Sequence, residues 1–137
     1  AIAATTTTAP NMPQLRILII DDDDLVREVL GVYLAIDHHQ ITAASSGQDG
    51  LTKFFAGEFD VVMTDRAMDG LSGDDVATAI KKSHPHQPII LLTGFGELMK
   101  INDNLPPYFD MIVSKPFNLN KLREAIAAVT SQKSPPA

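Results

Sequence analysis

The chain has 137 residues, 45% hydrophobic side chains and a formal net charge of -6, enough to bury one core but with little room for a second globular unit. An acidic balance without clustered Lys and Arg argues against direct nucleic-acid binding, which relies on cationic contacts to phosphate. The absence of cysteine excludes a disulfide scaffold or a thiolate metal site and is compatible with a reducing cytoplasm, and no apolar run approaches the roughly 20 residues of a bilayer span, so membrane insertion is not expected.

Residues 1–14 have no basic region followed by an apolar core and do not resemble a signal peptide. The Thr5–Thr8 tract and Pro10 and Pro13 read instead as a flexible linker. The missing initiator Met suggests processing or excision from a longer protein; a stand-alone receiver and an excised one both stay open, with the threonine-rich start favouring excision. The apolar run Leu15–Ile20 then ends in four consecutive aspartates, Asp21 to Asp24. After them Val26, Val29, Leu30, Tyr33 and Leu34 recur at helical spacing, with Asp23 or Asp24 as the N-cap.

A short segment, 39–43, precedes a helix expected over 47–56 with Leu51, Phe54 and Phe55 inward, closed by Gly57. The run Phe59–Asp65 ends in an acid. A third helix over 73–83 presents Val76, Ala79 and Ile80 and stops before Pro85. The run Pro88–Thr93 ends in a hydroxyl and Met111–Lys115 in an ammonium. Between them, 97–104 is rich in Asn and Asp and meets Pro106 and Pro107, which predicts a short or irregular helix. A last helix over 119–129 carries Leu119, Leu122, Ile126 and Val129 on one face, with Asn118 as its cap, and residues 131–137 read as a flexible tail.

Short apolar runs alternating with helices specify an α/β fold whose parallel sheet is covered on both faces. Right-handed crossovers limit the topology further. Ligands of such sheets bind outside the carboxyl ends of the strands, and those ends here carry Asp21 and Asp22, Asp65, Thr93 and Lys115. Crowded carboxylates repel one another and need a cation. Three of them point to a hard divalent ion such as Mg²⁺, and the added lysine and hydroxyl point to a phosphoryl group beside it.

From Leu15 to Thr130 the chain resembles a bacterial response-regulator receiver domain, the phosphoacceptor module of two-component signalling. The resemblance is carried by the Asp21–Asp22 pair, the loop Asp65-Arg66-Ala67-Met68-Asp69-Gly70-Leu71-Ser72-Gly73, the pair Thr93–Gly94, and Lys115-Pro116-Phe117. Each is weak alone; their order and separations together are specific. The family implies a flavodoxin-like (βα)5 three-layer sandwich with a parallel sheet in the order 2-1-3-4-5 and five helices. It also implies that Asp65 takes phosphate from a histidine kinase or a histidine phosphotransfer protein. Mg²⁺ would be held by Asp22, Asp65 and the Ala67 carbonyl, with Asp21 reaching it through water. Thr93, Lys115 and the main-chain N–H groups of Ala67 and Gly94 would receive the phosphoryl oxygens. Such a module catalyses its own phosphorylation and dephosphorylation but is primarily a signalling domain, here passing its state to an unidentified protein partner.

Two departures from the family pattern stand out. Asp69 replaces the usual proline after Met68, and Ile112 occupies the position of an aromatic switch residue in the fifth strand. The family's Lys–Pro bond is cis. Ala67 and Gly94 are too small to shield an acyl phosphate from water. Ordinary structural roles compete for several of these residues: Asp23 and Asp24 as a solvated cap region, Met68 as packing, and His38, His39, His84 and His86 as surface or loop residues. A haloacid-dehalogenase-like phosphatase would want a second aspartate where Ala67 stands. A flavodoxin-like cofactor binder would want hydroxyls where Asp21 to Asp24 stand. A pseudo-receiver serving only as a docking module stays open as the alternative function.

Overall fold

The computed structural model describes residues 14–94 and 105–133, so the helix expected over 97–104, the linker up to residue 13 and the tail from residue 134 lie outside the described residues. Within them strands and helices alternate as β1 (Arg16–Ile20), α1 (Asp24–Ile36), β2 (Gln40–Ala44), α2 (Gly47–Ala56), β3 (Val61–Asp65), α3 (Gly73–Ser83), β4 (Ile89–Thr93), β5 (Met111–Ser114) and α4 (Leu119–Lys133). The strands form one parallel sheet in the order β2-β1-β3-β4-β5, the flavodoxin-like architecture.

Continuous apolar strands follow from burial on both faces. Ile17, Ile19, Val61, Met63, Ile90 and Leu92 point toward α1 and α4, where Leu30, Leu34, Leu122, Ile126 and Val129 meet them. The alternate residues Leu18, Ile20, Val62, Ile89 and Leu91 face α2 and α3, against Phe54, Val76, Ala77 and Ile80. Each helix starts at a residue that satisfies its orphan N–H groups. Asp23 accepts from Leu25 N, Ser46 from Asp49 N, and Ser72 shares a reciprocal capping box with Asp75. Asn118 accepts from Lys121 N at the start of α4.

Four expectations need correction. Phe55 is 54% exposed rather than inward, because Phe54 takes the core-facing position of the short helix α2. In α3 the fully buried alanine is Ala77, while Ala79 is half-buried. The last helix runs through Lys133, beyond the expected end at Val129 and into the segment read as tail. His39 is only 6% exposed and belongs to the interior, whereas His38, His84 and His86 are exposed as expected.

The buried position of His39 belongs to a repeated device at the amino ends of the strands. Arg16 N donates to Asp60 Oδ2 at 2.9 Å while Asp60 N donates to Arg16 O at 2.8 Å, tying β1 to β3. Ile89 N donates to Asp110 Oδ2 at 2.9 Å and Asp110 N to Ile89 O at 2.8 Å, tying β4 to β5. Between β1 and β2 the acceptor is His39: Leu15 N donates to its Nδ1 at 3.0 Å, and Gln40 N donates to Leu15 O at 2.8 Å. Each two-way clamp satisfies a strand-end N–H that the ladder leaves unpaired and so fixes register. Pro88, which has no N–H, meets β3 through its carbonyl alone, accepting from Val62 N at 3.0 Å.

Candidate functional site

At the opposite, carboxyl ends of the strands the register collects the residues singled out above. Ile20 pairs with Thr64, which sets Asp21 beside Asp65, and Asp65 itself pairs with Leu92, one residue short of Thr93. Thr93 pairs with Ser114, and Lys115 N donates to Thr93 O at 2.7 Å. The Lys115–Pro116 peptide bond is cis.

Asp21, Asp22 and Asp65 each offer a carboxylate oxygen, and these oxygens lie within 4.8 Å of one another. Asp21 is completely buried, Asp22 exposed and Asp65 half-buried. Asp21 Oδ1 accepts from Asp23 N at 2.9 Å, but its Oδ2 is buried without a hydrogen-bond partner. Among the described residues the nearest cation is Lys115, whose Nζ lies 3.6 Å from Asp21 Oδ2 and 3.8 Å from Asp65 Oδ1. Both distances are too long for hydrogen bonds. Burial pushes the Asp21 carboxyl above its usual range, against the Asp23 N–H and the Lys115 charge that favour ionisation. Asp65 is raised too, by burial first and then by the neighbouring Asp21 charge.

A buried carboxylate oxygen without a donor is costly. An ammonium held just beyond bonding distance does not resolve it, and a divalent cation among three carboxylates would. The donor set therefore fits Mg²⁺. Arg27 anchors the rim from α1: its Nη1 donates to Asp21 O at 2.7 Å and it pairs with Asp24.

The remaining predicted residues differ in exposure. Thr93 is buried, with its Oγ1 only 3.4 Å from Gly94 O. Ala67 is exposed, and among the described residues a methyl added at Gly94 would meet nothing within 4 Å. Asp69 is exposed and lies outside the carboxylate cluster; Met68 packs against the α2–α3 core, as Ile112 does.

Sequence reasoning missed a network beside Asp65. Arg66 forks onto Asp74 at the start of α3, Nε to Oδ1 at 2.8 Å and Nη2 to Oδ2 at 3.0 Å, and Tyr108 Oη donates to Asp74 Oδ2 at 2.6 Å. Arg66 immediately after Asp65 was the available signal, but its partner had to be read from the fold.

Comparison with known proteins places the chain in a family. The response regulator receiver domain pattern matches residues 17–127. A receiver domain protein from Clostridium thermocellum superposes with a TM-score of 0.78 at 34% identity, covering 86% of this chain and 95% of that one. The response regulator TrrA of Thermotoga maritima, solved in complex with Mg²⁺-BeF, does so with a TM-score of 0.75 at 36% identity, covering 83% and 97%. Among curated sequences, the transcriptional regulatory protein GlrR of Escherichia coli is 28% identical over 119 residues, 87% of this chain and 27% of GlrR. The chain spans about half or less of the length of such relatives. With the family pattern extending over most of its length, the chain belongs to the response regulator receiver domain family.

Proposed function

We propose that this receiver accepts a phosphoryl group on Asp65 from the phosphohistidine of a histidine kinase or a histidine phosphotransfer protein and passes its state to a protein partner. The observation that carries this reading is the half-buried Asp65 carboxylate. It shares the rim with the orphaned Asp21 Oδ2 and stands 3.8 Å from Lys115 Nζ. Burial and the neighbouring Asp21 charge raise the Asp65 pKa and weaken it as an anion, so compensation of the local charge is a condition of its reactivity.

Asp22, Asp65 and the Ala67 carbonyl would hold Mg²⁺, with Asp21 as the buried carboxylate behind them. Bound there, Mg²⁺ supplies positive charge that neutralises the acids and draws electron density from the transferring oxygens. An Asp65 oxygen attacks phosphorus in line, the P–N bond to imidazole breaks, and the bonding pair leaves with the imidazole, which takes up a proton. Lys115 offers a point charge to a phosphoryl oxygen and Thr93 a hydroxyl to another. The Ala67 and Gly94 N–H groups are positioned in sequence to serve the third. Hydrolysis reverses the modification: water attacks phosphorus and the P–O bond to Asp65 breaks, returning the carboxylate.

The relatives give the reading its context, since TrrA holds Mg²⁺-BeF. The test is intact mass after incubation with Mg²⁺ and acetyl phosphate or phosphoramidate. A gain of one phosphoryl group is expected, lost in Asp65→Asn and in EDTA. A folded, Mg²⁺-binding protein that never gains the mass would point instead to a docking module.

A further inference from the structure

Position 112, where the family resemblance places an aromatic switch, is an isoleucine that can offer no ring or hydroxyl, yet a phenol stands four residues earlier and is already wired to the acceptor loop. The loop 66–72 is closed at its base. Gly73 N donates to Arg66 O at 2.8 Å, and a methyl at Gly73 would collide with the Asp65 carbonyl oxygen and approach Arg66 Cα to 2.9 Å. The Arg66–Asp74 fork reinforces the same closure with two further bonds. Arg66, Gly73 and Asp74 therefore move together with the end of β3, where Asp65 sits.

Tyr108 is tied to that unit by its 2.6 Å bond to Asp74 Oδ2, the oxygen that also receives Arg66 Nη2. Its ring stands edge-on to Phe109 at 5.0 Å, and Phe109 is buried in the α2–α3 core immediately before Asp110 and β5. One short hydrogen bond thus joins the acceptor loop to the segment that leads into β5. A charge-assisted bond of this kind depends steeply on geometry, so rearrangement at Asp65 that shifts the base of the loop must stretch, turn or release it. Asp74 shares the charge of Arg66: although burial opposes ionisation, the Arg66 and Tyr108 bonds hold its carboxyl below the usual range.

We propose that Tyr108, tethered through Asp74 to Arg66, carries the state of Asp65 to the segment preceding β5, in place of an aromatic residue at position 112. Tyr108 is a positioning residue in this scheme, and the inference rests on the phosphoacceptor reading of Asp65. Coupling of this type is reciprocal: if occupation of the rim alters the tether, removing the tether alters the affinity of the rim.

The chain has no Trp and two Tyr, so a Tyr33→Phe background makes tyrosine emission a report on Tyr108 alone, and a phenol bonded to a carboxylate is quenched relative to a free one. This protein is titrated with beryllofluoride in Mg²⁺, with ¹⁹F NMR on the same samples counting bound fluoride. A change in Tyr108 emission that saturates together with the bound-fluoride signal is expected. It should be absent in Asp65→Asn, and absent in Asp74→Ala even where that variant still binds fluoride. Tyr108→Phe, which keeps the ring and its packing, should shift beryllofluoride affinity about 5-fold or more. Bound fluoride with unchanged Tyr108 emission, or an unshifted affinity in Tyr108→Phe, overturns the inference while leaving the phosphoacceptor reading intact. A folded protein that shows no Asp65-dependent bound fluoride overturns both.

Discussion

The two ends of the sheet treat aspartate in opposite ways. Among the described residues, each buried or half-buried acid at the amino ends is matched. Asp37 is forked by Arg123 at 2.7 and 2.8 Å, Asp110 accepts from Lys81 Nζ at 2.9 Å and from Ile89 N, and Asp60 accepts from Arg16 N. At the carboxyl ends Asp21, Asp22 and Asp65 crowd together, and Lys115 stays 3.6 and 3.8 Å away from two of them. The same residue type in the same sheet is therefore a hydrogen-bonded clamp at one pole and part of a crowded cluster sharing one lysine at the other. The fold gives the acids of the amino pole hydrogen-bonding partners and leaves those of the carboxyl pole crowded against one another.

The largest expected effect comes from supplying that partner. Saturating Mg²⁺ should stabilise the wild-type protein by about 2.7 kcal/mol at a hundredfold excess over Kd, seen as a shift of the urea midpoint, and Asp21→Asn or Asp65→Asn should lose most of it. Without metal, Asp21→Asn should be more stable than wild type by about 1 kcal/mol, the order of one net hydrogen bond. The pH dependence fixes the sign. A carboxyl whose folded pKa is raised contributes its stability below the unfolded value of 3.8 and loses it as pH rises through the folded value. The advantage of Asn over Asp21 should thus grow from acid toward neutral pH and vanish below that value. A wild-type apo protein as stable as Asp21→Asn at neutral pH would erase the contrast between the poles.

At the amino pole the opposite response is expected. Asp110→Ala strips the acceptor from Ile89 N–H and the partner from half-buried Lys81. It should cost about 2 kcal/mol by chemical denaturation, the scale of an unsatisfied buried donor, with no change in the Mg²⁺-linked increment. Asp37 shows the mirror-image linkage. Its Arg123 bonds hold its pKa down, so its contribution is present above the unfolded value near 3.8 and is lost as pH falls through the lower folded value.

The rim itself can be sharpened at its open side. Ala67 is exposed, and among the described residues nothing lies within 4 Å of a methyl added at Gly94, so an acyl phosphate formed on Asp65 would have its lifetime set by access of water. Ala67→Leu should slow phosphate loss several-fold, followed as decay of the phosphorylated mass after donor removal. An unchanged rate would mean that solvent access past residue 67 does not limit hydrolysis.

The carboxyl pole was legible in the sequence because a parallel strand buried on both faces is an uninterrupted apolar run, and the polar residue that stops the run marks its end. Asp21, Asp65, Thr93 and Lys115 stand at such ends, and Asp23 and Asn118 announced helix starts through local chemistry. The amino pole was not legible. His39 is buried because its Nδ1 accepts from Leu15 N, 24 residues earlier, a pairing that exists only once β1 and β2 are in register. Tyr108 and Asp74 are 34 residues apart, beyond any helical or strand period. Ala77 and Ala79 carry too little apolar surface for periodicity to choose between them. Phe55 shows that an aromatic beside a core-facing one need not follow it inward.

His39 provides the finest test of the comparison, because it is the one clamp residue that titrates near neutrality. Burial lowers its pKa below the ordinary 6.5, outweighing the Asp37 charge that favours protonation, while His38 adds like-charge repulsion. The sign follows from proton counting: the unfolded chain binds a proton there more readily, so the contribution of His39 is complete above 6.5 and declines as pH falls toward its folded value. Protonation also takes the Nδ1 lone pair that accepts from Leu15 N–H, which costs about 1 kcal/mol as a lost net hydrogen bond. His39→Gln should therefore flatten the stability profile just below pH 6.5 while leaving the more acidic decline from Asp37 in place. The measurement is urea unfolding across that range for both proteins in EDTA, so that the carboxylate rim makes no metal-dependent contribution. Parallel profiles would mean that the β1–β2 clamp is maintained when His39 is charged, and that the amino pole tolerates an unmatched charge as the carboxyl pole does.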